Sequence, residues 1–137
     1  MRLIKVLPHI DEHLQFLYGI LSERDVSVNI SHKEMPSFEE HAAFCSGNPY
    51  EEWLLMTDDS GQPVGACYIT KMGEIGIQIA RGHQRRGYAR TALNTLIEMH
   101  KGRRLLANIA PGNEPSRKLF EGFGFKLIQH TYELDQG

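Results

Sequence analysis

The chain predicts a single α/β domain built on a mixed sheet, and three observations carry that prediction. Helical and strand periodicities alternate along all 137 residues without a repeat or low-complexity tract. A strand, a glycine-rich turn, a helix and a second strand follow one another in mid-chain, which implies a right-handed parallel crossover. Hydrophobic residues make up 41% and charged residues 23%, the balance of a chain that buries a core, and the length suits one domain.

Residues 3–6 form a short strand candidate before Pro8. Ile10, Leu14, Leu17 and Leu21 recur at helical spacing and predict a first helix over 10–23. Ser37-Phe38-Glu39-Glu40 after Pro36 is a capping box, so a second helix opens there and runs to Gly47-Asn48-Pro49, with Cys45 on its core side. Strand patterns at 53–57 and 64–70 flank the turn residues 58–63 and predict a β-hairpin. The next strand, Glu74–Ile79, alternates with period two: its isoleucines take one face, Glu74, Gly76 and Gln78 the other. Beyond a Gly/Arg loop, Ala89, Ala92, Leu93, Leu96, Ile97 and His100 share one helical stripe. A strand over 104–110, a last helix over 115–123 stopping at Gly124, and a final strand over 126–134 complete the reading.

Several function classes are excluded early. Fifteen basic against 17 acidic side chains leave a net charge of −2, so no overall positive field attracts nucleic acid. Lys101, Arg103 and Arg104 suit a helix C-terminus and a turn. No apolar run approaches the roughly 20 residues of a membrane span, so no membrane partner is expected. Cys45 and Cys67 lack C-x-x-C spacing and fit a reducing, cytoplasmic setting. His9, Glu12 and His13 spell H-x-x-E-H, but they flank the core stripe next to Pro8 and lack a third ligand, so no metal site is assigned.

The chemistry concentrates between Ile77 and Arg90. A strand end, a turn holding Gly82 and Gly87, and a helix start stand in succession there, with Arg81, Arg85, Arg86 and Arg90 around them. Helix N-termini present unpaired N–H groups and partial positive charge, so such a turn binds phosphate. The two glycines have P-loop spacing, yet Tyr88-Ala89 stand where Lys-Ser/Thr is needed, and no G-x-G-x-x-G follows a strand. Nucleoside triphosphate and dinucleotide chemistry are therefore set aside.

Gln84-Arg85-Arg86-Gly87-Tyr88-Ala89 resembles the coenzyme A signature Q/R-x-x-G-x-G/A of the GNAT N-acetyltransferase superfamily. Downstream, the stretch from Asn113 to Phe125 is similar to that family's N-x-x-S/A-x-x-L-Y/F-x-x-x-G-F, and the resemblance covers about residues 64–134. It implies a mostly antiparallel mixed sheet of six to seven strands with about four helices, the strands splayed at the coenzyme site. It also implies acetyl-CoA as acetyl donor. The N–H groups of Gln84, Arg85, Arg86, Gly87, Tyr88 and Ala89 would hold its pyrophosphate, and the edge of Ile77, Gln78 and Ile79 would pair with the pantetheine amides like an added strand. A backbone amide at Ile77 or its neighbour would stabilise the oxyanion, while Asn113 and Ser116 would lie by the pantetheine arm, Asn113 alternatively capping the last helix.

Acetyl transfer needs an unprotonated amine, so a base must act. Glu74 resembles the catalytic glutamate of the histone-acetyltransferase branch, offset by one residue in loop length. Asn108 stands where ribosomal-protein acetyltransferases carry a glutamate and, unable to take a proton, would orient water or substrate. Phe120 replaces a tyrosine that protonates the departing thiolate in many members; water, Ser116 or a tyrosine such as Tyr132 would take its place. The acceptor wall is expected over residues 24–50, which mix Asp25, Glu34, Glu39 and Glu40 with Val26, Val28, Ile30, Met35 and Phe38. That mixture points to a small-molecule amine, such as an amino sugar. The alternatives are a protein N-terminal or lysine acetyltransferase, and a coenzyme A-binding module without catalysis. The expected partners are the amine acceptor and, in a homodimer, a second copy of the chain.

Overall fold

The computed structural model describes residues 1–24 and 34–137. Its elements are β1 (Arg2–Lys5), α1 (Asp11–Ser22), α2 (Phe38–Ser46), β2 (Glu52–Thr57), β3 (Pro63–Ile69), β4 (Glu74–Ile79), α3 (Tyr88–Met99), β5 (Leu106–Ala107) and α4 (Glu114–Gly122). The capping box forms as the sequence predicts: Ser37 Oγ accepts from Glu40 N, and Glu40 Oε1 from Ser37 N, both at 3.1 Å.

The strands lie in the order β1-β2-β3-β4-β5. Pairs β1–β2, β2–β3 and β3–β4 are antiparallel, and β4–β5 is the parallel pair that the crossover through α3 requires. The sheet is mixed and mostly antiparallel, with five strands among the described residues rather than six or seven. The difference lies after α4: residues 126–134 form no strand, and Leu127, Ile128, Tyr132 and Leu134 are exposed. A strand is stable only when paired, and β5 is two residues long instead of the predicted seven, so it offers little ladder for a neighbour.

Period-two alternation divides the side chains between two cores. On one face Leu54, Met56, Cys67, Ile69 and Ile75 pack with Ala92, Leu93 and Leu96 of α3 and Phe120 of α4. On the other, Leu55 and Ala66 pack with Leu17 and Ile20 of α1 and Cys45 of α2. Full burial of a leucine such as Leu55, Leu93 or Leu96 contributes roughly 1.5–3 kcal/mol. Both cysteines are free and fully buried; burial pushes Cys45 up to about 11 and Cys67 up to about 12.

The second core also holds His41, 6% exposed, with Nε2 3.5 Å from Cys45 Sγ and its ring against Tyr18. Burial lowers its pKa from the ordinary 6.5. The unfolded chain therefore takes up a proton near 6.5 that the native state refuses, and native stability falls as pH drops below that value. His13, also lowered by burial, acts in the same window. Urea midpoints measured from pH 7.5 to 5 are expected to decrease, and the slope to be shallower in His41→Gln.

Candidate active site

The site begins where the sheet opens. β4 pairs with β5 only through Glu74↔Leu106 and Ile75↔Ala107. Beyond Ile75 the strands part, so Gly76, Ile77, Gln78 and Ile79 keep β3 on one side and, among the described residues, have no strand on the other. An open strand edge presents N–H and C=O groups at ladder spacing to whatever lies along it. This is the splay and the free edge expected for Ile77, Gln78 and Ile79. The Gln78 side chain turns away from the edge and donates to the Ile20 carbonyl on α1.

The loop from β4 to α3 is shaped by backbone torsions. Gly82, Arg85 and Gly87 have φ of +86°, +64° and +81°, the left-handed region that glycine enters at no steric cost. Gly87 is the N-cap of α3 and offers no side-chain acceptor. Among the described residues, no backbone N–H from Gln84 to Arg90 has a hydrogen-bond partner, whereas His83 N still donates to Ala80 O at 3.1 Å. A helix start therefore exposes successive donors together with the positive end of its dipole. Gln84 donates from Nε2 to Ile79 O at 3.4 Å, tying the loop back to the strand. Arg81 is fixed from the far side by Glu23, its N–H 2.7 Å from Oε1. Arg90 covers the Phe123 ring at 5.3 Å, while Arg85 and Arg86 extend into solvent. These features suit a diphosphate held by backbone donors within a cationic rim.

At the closed end of the splay, Glu74 and Asn108 are brought together. Asn108 Nδ2 donates to Glu74 Oε2 at 2.5 Å, and Glu74 N donates to Thr70 Oγ1 at 3.0 Å. Arg103 secures the turn before Glu74 by donating to the Thr70 and Lys71 carbonyls at 3.2 and 2.7 Å, and it pairs with Glu51. The residue read in sequence as a helix-end charge is thus a clamp on the β3–β4 turn.

The structure also brings in a residue that the sequence did not single out. Tyr68 of β3 faces Gly76 of β4, and a Cβ on Gly76 would lie 2.2 Å from the tyrosine Cζ. The ring occupies the place of the missing side chain. The signal was available: an aromatic residue opposite a strand glycine marks a close approach.

Asn113 caps α4, its Oδ1 accepting from Ser116 N at 3.4 Å, which is the structural role weighed for it. Phe120 is 5% exposed, with its ring centre 5.1 Å from that of Phe125, so its lack of a hydroxyl matches an apolar setting. Tyr132 does not join the site: its residue is 89% exposed and its ring meets His130 in the C-terminal segment. With no strand over 126–134, nothing carries that ring to the sheet. His13 Nδ1 accepts from Leu7 N at 3.0 Å, a contact that fixes the entry to α1. The acceptor-wall expectation falls partly on Asp25, Val26, Val28 and Ile30, outside the described residues. No described helix is long and apolar enough to cross a membrane.

Comparison with known proteins adds three findings. The family model described as an acetyltransferase (GNAT) domain matches residues 4–126. Among curated proteins no relative matches. Among solved structures, similar folds include a phosphinothricin acetyltransferase from Sinorhizobium meliloti in complex with AcCoA, at 20% identity and a TM-score of 0.75 over 93% of this chain and 76% of that one. A ribosomal-protein-alanine N-acetyltransferase from Brucella melitensis gives 20% and 0.73 over 92% and 85%. A dodecameric spermidine N-acetyltransferase from Vibrio cholerae gives 20% and 0.73 over 94% and 81%.

Proposed function

The chain belongs to the GNAT acetyltransferases, and on that premise we propose that it transfers the acetyl group of acetyl-CoA to the primary amine of a small molecule by direct attack. One observation carries the reading: the row of outward N–H groups from Gln84 to Arg90 lies at one end of an open strand whose other end carries a hydrogen-bonded carboxylate, Glu74.

Acetyl-CoA, when bound, supplies an activated thioester. In this reading, the N–H groups of Gln84 to Ala89 bind the diphosphate. The free edge of Ile77, Gln78 and Ile79 aligns the pantetheine arm, with Asn113 and Ser116 across the gap. A backbone N–H at or beside Ile77 polarises the carbonyl oxygen. An aliphatic amine is protonated at neutral pH, so Glu74 takes its proton while Asn108 fixes the carboxylate. Cys45 and Cys67, buried with raised pKa values, hold no thiolate to offer, which supports transfer without an acyl-cysteine. Their free, unbridged state supports work in a reducing compartment such as the cytoplasm.

Glu34, Glu39 and Glu40 beside Met35 and Phe38 favour a compact amine, an amino sugar or a short polyamine, over an extended peptide. The spermidine specificity of the Vibrio enzyme is in keeping with that preference. Its assembly supports a second copy of this chain as protein partner.

Thiol release from acetyl-CoA, measured with a panel of amino sugars, polyamines, amino acids and peptides, tests the proposal. Release with a small amine is expected. A response to peptides alone would replace the acceptor class, and coenzyme binding without release to any amine would leave a non-catalytic module. Gly87→Val separately tests the loop. No atom lies within 4 Å of an added Cβ, so its effect comes from the +81° backbone, at a cost of about 1–3 kcal/mol. Calorimetry is expected to show coenzyme A affinity reduced about tenfold or more, since 1.4 kcal/mol corresponds to a factor of ten.

A further inference from the structure

Tyr68 has an unusually fixed position. Its ring leaves β3 and crosses β4 at Gly76, where an added Cβ would lie 2.5 Å from the hydroxyl oxygen. The phenol therefore rests on the β4 backbone itself. It shares the face of Glu74, two residues away, and adjoins Ile77, whose amide edge is open. On its other side the ring stacks on Tyr50 at 3.8 Å with 8° between planes, and Tyr50 is held edge-on by Trp53 at 4.8 Å. A ring pinned from both sides presents its hydroxyl in one place.

We propose that Tyr68 is the proton donor to the departing thiolate, supplying from β3 the hydroxyl that Phe120 lacks on α4. The assignment rests on the acetyltransferase reading above. The step balances: Glu74 first passes the ammonium proton on to solvent and is ionised again, the free amine nitrogen then bonds to the acetyl carbon, and the carbon–sulfur bond breaks. Glu74 receives the amine proton, and the Tyr68 O–H proton goes to sulfur. The phenolate then regains a proton from the Glu74 carboxyl group on the same face, so one amine hydrogen is exchanged for acetyl and one thiol is released. The titratable and charged groups around Tyr68 are Arg24 at the end of α1, Tyr50 before β2, and Glu74 on β4. Burial, the largest influence, raises the phenol and keeps its proton in place until it is needed, while Arg24 opposes that shift.

Tyr68→Phe keeps the ring, the stack on Tyr50 and the contact with Gly76, and removes the hydroxyl together with its hydrogen bond to the Tyr50 hydroxyl. With wild-type thiol release established, kcat is expected to fall about 10²-fold, with the KM for acetyl-CoA unchanged, the melting temperature lowered by no more than the loss of one hydrogen bond, and the alkaline limb of the kcat profile lost. Fluorotyrosine at position 68 retains the hydroxyl but is more acidic, and should move that limb to lower pH. Unchanged kcat and limb in Tyr68→Phe, or an unmoved limb in the fluorinated protein, would overturn the assignment alone. No thiol release by the wild type with any amine would overturn the acetyltransferase reading and this assignment with it.

Discussion

Glu74→Gln is expected to lower kcat by about 10²- to 10⁴-fold while coenzyme A affinity stays as in the wild type. Glutamine matches glutamate in shape, and its carbonyl oxygen can still accept from Asn108 Nδ2, so the turn held by Thr70 and Arg103 persists. What is lost is the carboxylate at the closed end of the splay, and the amide of Asn108 cannot replace it as a proton acceptor. Steady-state kinetics with a responsive amine, alongside calorimetry with coenzyme A, separates the two effects. A kcat within threefold of wild type would assign Glu74 to amine recognition or turn structure instead.

Gly76→Val is expected both to destabilise the fold and to lower kcat by about 10²-fold or more. A Cβ there meets the Tyr68 ring at 2.2 to 2.5 Å, far inside van der Waals contact, so the ring must leave its place and break its stack on Tyr50. Overpacking of this kind costs about 1–3 kcal/mol, readable in urea denaturation. The partner in the clash is one side chain, so Tyr68→Ala in the same protein should restore most of the lost stability, a coupling that a double-mutant cycle measures. Activity should stay at least about 10²-fold below wild type, since the hydroxyl is gone. Destabilisation undiminished in the double variant would trace the cost to the β4 backbone rather than to Tyr68.

Much of this architecture is legible in sequence because local rules decide it. The capping box at Ser37 and Glu40, the isoleucine alternation of β4 and the glycines of the 82–87 loop each act within a few residues, and all three form as read. Elements that depend on distant partners were less legible. The strand predicted over 104–110 shortens to Leu106–Ala107 because β4 pairs with it for only two residues, and the alternating segment 126–134 finds no ladder. At the site, the meeting of Glu74 with Asn108 needs the parallel register, and Tyr68 gains its position only through the antiparallel one. Arg103 looked like a charge at a helix end because its acceptors, the Thr70 and Lys71 carbonyls, lie over 30 residues earlier in the chain.

The sheet also acts as a partition. One side, cemented by α3 and α4, leads into the loop proposed above to hold the donor; the opposite side, cemented by α1 and α2, carries Tyr68. The two hydrophobic clusters share no residue, yet polar contacts cross between them: Gln78 of β4 donates to the Ile20 carbonyl, and Arg81 donates to Glu23 at the end of α1. A graft of α1 and α2 from a relative would therefore have to keep the Ile20 carbonyl and the Glu23 carboxylate in place, or the strand edge and loop beside them would shift with it.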